Sequence, residues 1–157
     1  MNKLTAMLWF DKEAEEAMNH YLSIFPDSKQ LSVSRYGAAG PGPAGTVMTA
    51  SFEIEGYQFT ALNGGPLFKF NESVSFVVRC KDQAEVDYYW HKLSAGGAPS
   101  ACGWLKDKFG LSWQVVPVQL IEMLSDKDGA RAQRVMGAMM KMGKIVIADL
   151  QAAYGGK

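Results

Sequence analysis

Few side chains in this sequence could do chemistry. Histidine occurs at His20 and His91, cysteine at Cys80 and Cys102. A zinc, nickel or iron site asks for three or four imidazole, carboxylate or thiolate ligands, and neither histidine has a second ligand at i+4. Each histidine falls near the end of a helical stretch, where contact with the helix C-terminus accounts for it. Cys102 reads first as a small apolar thiol and second as a nucleophile. Gly40, Gly42 and Gly45 in GPGPAG match GxGxxG. A phosphate cradle of that form needs a strand before it and a helix N-terminus after it. Here an alternating strand follows, and Pro41 and Pro43 lack the N–H donors such a loop uses. No GxSxG, HExxH or P-loop occurs.

Gln114 is the polar group that asks for an explanation. It lies in LSWQVVP, between Trp113 and Val115. A primary amide in an apolar run is costly unless it faces water, a partner or a ligand. Period-2 geometry puts Ser112, Gln114 and Val116 on one face of that strand and Trp113 and Val115 on the other.

The chain that must position it has 157 residues, one domain by length. Sixteen basic and 16 acidic residues give zero net charge, so no electrostatic case arises for nucleic acid or an anionic membrane surface. No run approaches the roughly 18 apolar residues of a membrane span. The N-terminal MNKLTAMLWFDKEAEE reaches acidic residues too soon for a signal peptide. Two cysteines without a CxxC suggest neither zinc nor a disulfide framework. A cytoplasmic location is expected.

LTAMLWF, residues 4–10, reads as a strand. Ala14, Ala17, Met18, Tyr21, Leu22 and Phe25 then recur at helical spacing behind an acidic start, and Pro26 ends the helix. A short strand at 31–36 and a loop at 37–45 follow. TVMTASFEIE and YQFTALN alternate cleanly about Gly56, as a hairpin does. The order then restarts: SVSFVVRC as strand, KDQAEVDYYWHKLSAGG as a helix closed by glycines, ACGWLKD and LSWQVVP as strands. An offset of 70 places Ala14-Glu15 on Ala84-Glu85 and Leu8 on Val78. Such a repeat decides the fold. The expected class is α+β. Two βαβββ modules, 1–72 and 73–117, form curved sheets around a cleft, and a helical tail at 118–157 completes a single domain. Asp126 or Asp128 is the expected N-cap in the tail. Met136, Met139, Met140 and Met142 are expected to pack against the body of the domain or a partner subunit.

The run of LWFD, AEEAMNHY, ALNGGPLFKF, VSFVVRC and CGWLKDKFGLSWQVVP resembles the vicinal oxygen chelate superfamily of glyoxalase, bleomycin-resistance and dioxygenase proteins. Within it, the chain looks like the PhnB-like branch, whose domain carries the label 3-demethylubiquinone-9 3-methyltransferase. The resemblance spans about residues 3–117 and continues into the tail. It implies paired βαβββ modules, commonly in dimers, and in many members a metal in the cleft. The metal-ligand positions of such members fall on Gln114, near Ser75, on Leu4 or Thr5, and near Phe59 or Thr60. One amide and hydroxyls cannot replace imidazole and carboxylate, so no metal and no other cofactor is expected. The cleft is expected instead to hold a small aromatic or quinone-like molecule. Gln114, Asn63, Ser75 and Arg79 would supply polar contacts, and Phe59, Phe68, Phe70 and Trp104 aromatic ones. The partners expected are that molecule and a second copy of the chain. The alternative is an enzyme of the family, either the methyltransferase of its label or a metal-dependent lyase, isomerase or dioxygenase.

Overall fold

The computed structural model describes residues 2–157. The chain folds as two compact units, Met1–Phe70 and Asn71–Lys157.

In the first unit, β1 (Ala6–Phe10) leads into α1 (Ala14–Ile24), and β2 (Ser28–Arg35), β3 (Val47–Ile54) and β4 (Tyr57–Asn63) follow. The sheet order is β1-β4-β3-β2, with β1 parallel to β4 and the other pairs antiparallel. The expected apolar positions of α1 do the packing: Ala14, Ala17, Met18 and Tyr21 are buried. They meet Phe10, Phe52 and Phe59 from one face of the sheet, with Phe52 stacked on Phe59 at 5.3 Å and tilted against Tyr21 at 6.0 Å. Glu55 and Gly56 both take positive φ, 50° and 77°, the backbone of a tight hairpin turn between β3 and β4.

The GPGPAG loop owes its glycines to packing. It folds over Tyr36, with Gly45 N–H donating to Tyr36 O and Tyr36 N–H to Thr46 O, each at 2.8 Å. A methyl group at Gly40 or Gly42 would overlap the Tyr36 ring. The Tyr36 hydroxyl in turn donates to Asn63 O at 2.5 Å. Gly42→Ala is therefore expected to cost about 1–3 kcal/mol, as overpacking does. Urea unfolding of the variant checks this; a midpoint equal to that of the native chain would mean the loop gives way freely.

The second unit repeats the order. It contains β5 (Ser75–Cys80), α2 (Gln83–Ser94), β6 (Ala98–Pro99), β7 (Trp104–Lys106) and β8 (Ser112–Pro117) in sheet order β5-β8-β7-β6, with β5 parallel to β8. The repeat shows in register as well, with β1 and β5 related by the offset of 70 and β4 and β8 by one of 54. Met7 lies opposite Thr60 in the first sheet, and its counterpart Val77 lies opposite Gln114 in the second. Asp82 caps α2 by accepting from Glu85 N at 2.9 Å, and Gly96, at φ +76°, turns the chain after it. The expected strand at ACGWLKD is shorter than read: only Trp104–Lys106 extends. Cys102 at φ +58° and Gly103 at +83° turn the chain ahead of it.

The tail forms α3 (Val118–Leu124), α4 (Gly129–Met139) and α5 (Ile147–Tyr154). Asp128, one of the two expected caps, accepts from Ala130 N at 3.0 Å and Arg131 N at 3.3 Å. Leu120, Val135, Ile145 and Leu150 make a small core with Met139 and Met142 packed on it. Met136 and Met140 are exposed, so only half of the methionine set packs as expected. The linker to α5 lies along the start of β7: Cys102 N and Gly103 N donate to Met142 O and Gly143 O, each at 2.8 Å. No helix among the described residues is long and apolar enough to cross a membrane.

Candidate functional site

In the second sheet, one face packs against α2 and the other does not. Trp113 and Val115 on β8, Leu105 on β7 and Cys80 on β5 are buried. Alternation puts Ser75, Val77, Arg79, Trp104, Lys106, Ser112 and Gln114 on the opposite face, open except where Ser112 is buried, while Val116 at its end packs against the core of the tail. Of the expected site residues, Gln114, Ser75, Arg79 and Trp104 share this face. Gln114 Nε2 donates to Ser75 Oγ at 3.0 Å. That is the one hydrogen bond the Gln114 side chain makes among the described residues, so its carbonyl oxygen and second N–H stay available.

One device holds this face in shape. Asp107, 2% exposed, accepts from Phe109 N at 2.9 Å and Leu111 N at 3.1 Å through one oxygen. Through the other it accepts from Trp113 Nε1 at 2.9 Å. The DKFG turn is thereby tied to the strand carrying Gln114. Sequence reasoning missed Asp107; the available signal was a carboxylate six residues before a tryptophan across a tight turn. On the packed face, the Cys80 thiol is buried and pushed up to about 12, by burial first and then by the nearby charges of Glu85 and Asp82. Such a thiol stays neutral and unreactive. In the native protein a thiol reagent at pH 8 is expected to modify Cys102 and spare Cys80 until denaturant is added. A raised thiol value also means that its contribution to stability is intact below the ordinary value near 9.0 and lost as the pH climbs from there towards about 12. Two thiols reacting equally fast in the native state would contradict this.

Beside the open face lies a cavity of about 580 Å³ in the second unit. Pro99, Trp104, Leu105, Lys106, Ser112 and Glu72 are among its lining residues. Lys106 and Ser112 are directly opposed in the ladder. Lys106 Nζ pairs with the Glu72 carboxylate, which holds that carboxyl below its usual range. Ser112 is 0% exposed, and its Oγ has no hydrogen-bond partner among the described residues. Neither Lys106 nor Ser112 was singled out from the sequence, because nothing in SW or LKD announces that a cavity lies alongside.

The other expected site residues belong to the first unit and have different occupations. Asn63 accepts from Ala14 N at 2.8 Å and donates to Val47 O at 3.1 Å. Glu13 makes no side-chain cap, so Asn63 reaches across from the end of β4 to satisfy the first turn of α1. Phe59 is a core residue against α1, not a residue of the sheet's other face; its neighbour Thr60 is on that face and bonds Ser51 at 3.1 Å. Phe68 stands edge-on to Trp9 at 4.9 Å, and Phe70 edge-on to Phe10 at 5.2 Å. Gly64 is required there because a Cβ would overlap the Trp9 indole, whose Nε1 donates to Gly65 O at 2.9 Å. The GGPLFKF stretch thus meets β1 through two ring contacts, with Trp9 and Phe10, which point to opposite faces of the strand.

The sequence profile of the 3-demethylubiquinone-9 3-methyltransferase family matches residues 2–116. The chain belongs to this family. Among solved structures it is similar to the PhnB protein from Bacillus cereus, at 38% identity and TM-score 0.68, over 74% of this chain and 99% of that one. It also resembles protein PA1353 from Pseudomonas aeruginosa, at 19% identity and TM-score 0.61, over 74% and 98%. The fosfomycin resistance protein FosX from Listeria monocytogenes, complexed with Mn(II) and sulfate, shares the fold at 13% identity and TM-score 0.51, over 74% and 90%. That likeness is one of fold. No curated protein matches. The family match ends at residue 116, before the tail helices begin.

A metal is known in this fold from the FosX complex. Among the described residues of this chain, no three His, Cys, Asp or Glu side chains stand together to hold one. The positions that the resemblance assigns to metal ligands hold Gln114, whose amide is bonded to the Ser75 hydroxyl, Leu4 or Thr5, and Phe59 or Thr60. That donor set does not fit a divalent transition metal.

Proposed function

We propose that this PhnB-like protein binds a small aromatic or quinone-like molecule, without a metal, on the open face of its second sheet. The observation that carries the proposal is Gln114: a half-used amide, hydrogen-bonded to Ser75, beside Trp104. Apolar surface with a few placed polar groups is the ordinary form of a small-molecule site. Arg79, exposed on β5, completes the polar set on that face. S-adenosylmethionine has no support here, since the glycine loop that might suit it is folded over Tyr36.

A second copy of the chain is the other proposed partner. β1 and β5 are end strands of their sheets. Met7 on β1 and Val77 on β5 are exposed, as are Leu4 and Val74 just before them. Outer strands carrying exposed apolar residues ask for cover. Two free thiols also suit a reducing cytoplasm.

The test is a melting-temperature screen with methoxyhydroquinone and related phenols, beside S-adenosylmethionine. A ligand at a hundredfold excess over its Kd adds about 2.7 kcal/mol, a shift of several degrees. A shift with the phenols alone supports the proposal. A shift with S-adenosylmethionine alone, or stoichiometric zinc, nickel, iron or manganese retained after purification, overturns it. Light scattering across protein concentration reads the dimer.

A further inference from the structure

We infer that the molecule bound on this face carries an acidic oxygen, a carboxylate or ionised phenol, received in the 580 Å³ cavity by Lys106 and Ser112; the inference rests on the small-molecule reading above. Three observations converge. The cavity is walled largely by apolar groups, Pro99, Trp104 and Leu105, which suits a ring. Ser112 Oγ, wholly buried, has no partner among the described residues, although buried hydroxyls are almost always satisfied. A ligand oxygen would supply that partner. Lys106, directly across the ladder from Ser112, brings a cation to the same place.

The cation is occupied by a carboxylate of the chain itself. Glu72 comes from the segment just before β5, and its side chain is 61% exposed. An ion pair this open is worth little in net stability, so an incoming anion displaces it at small cost. Glu72 thus acts as a placeholder: it keeps Lys106 neutralised when the cavity has no ligand, and it swings into water when an acidic ring enters. The exchange trades one carboxylate for another and involves no covalent step.

Benzoate and benzamide, rings of equal size with and without charge, are the probes, each titrated against the full chain by NMR. Benzoate is expected to bind about tenfold more tightly than benzamide, and more weakly as salt rises. Lys106→Met should bring the two affinities together. Glu72→Gln should tighten benzoate about two- to fivefold, by removing the competitor, and leave benzamide unchanged. Ser112→Ala should weaken benzoate several-fold, with circular dichroism confirming the fold. Equal affinities for the two rings in the native chain, insensitive to Lys106→Met, overturn the acidic-ligand inference while the ring-binding reading stands. Weaker benzoate binding in Glu72→Gln also overturns it. Neither ring binding at millimolar concentration sinks the ring-binding reading itself.

Discussion

Asp107→Ala is expected to destabilise the second unit by about 3–5 kcal/mol. The carboxylate satisfies three donors at once: the N–H groups of Phe109 and Leu111 and the indole N–H of Trp113. The site is buried, so water cannot replace it freely. Leaving a buried donor unsatisfied costs about 1–3 kcal/mol, and bonds to a charged acceptor sit at the upper end. Phe109 N–H lies nearest the surface and recovers part of the loss, which keeps the total below three full penalties. Asp107→Asn separates the contributions. Its one carbonyl can still accept from the two backbone groups, but its N–H₂ would then face the Trp113 N–H, donor against donor. A cost of about 1–3 kcal/mol is expected for it. Urea unfolding followed by tryptophan fluorescence measures all three proteins. The order native, Asn, Ala in falling stability is required. An Ala variant within 1 kcal/mol of native would show that the DKFG turn holds itself.

This latch marks the boundary of what the sequence could tell. The architecture was legible because its signals are periodic and local. TVMTASFEIE alternates, α1 repeats its apolar residues every three or four positions, and the offset of 70 that relates Leu8 to Val78 reappears as matched register. The open face of the second sheet was legible for the same reason: alternation alone places Gln114 with Ser112 and away from Trp113. Tertiary assignments were not. Asn63 looks like a ligand-binding amide by alignment, yet α1 lacks a side-chain cap of its own, and that need is invisible in the residues around Asn63. The resemblance puts a ligand position near Phe59 or Thr60, and the parity of YQFTALN turns Phe59 towards α1. GPGPAG and GGPLFKF look like loops with room for a ligand, and both are shaped by single aromatic rings, Tyr36 just after β2 and Trp9 on β1. Ser112 could be placed on the right face but not beside a cavity. The short β6 and the turn through Cys102 line that space, and neither has a period to read.

Gln114→Leu is expected to leave stability within about 0.5 kcal/mol of native while weakening the small-molecule ligand by about tenfold or more. The two effects separate because the amide makes one internal hydrogen bond and that bond is half-exposed. Ser75 Oγ, losing it, turns to water at little cost, and leucine fills the same volume. A ligand that used the Gln114 carbonyl or second N–H has no such substitute, since its own polar group would be held against a methyl. Gln114→Glu sharpens the point. It keeps size and acceptor geometry but adds a negative charge on the face that also carries Trp104 and Lys106. A neutral ring should tolerate it, whereas benzoate should bind much more weakly than to the native chain. If Gln114→Leu raised stability and left every ligand affinity unchanged, the amide would be a packing residue after all. The site would then shrink to the cavity around Ser112 and Lys106. Gln114 is thus tested by what its removal spares as much as by what it costs.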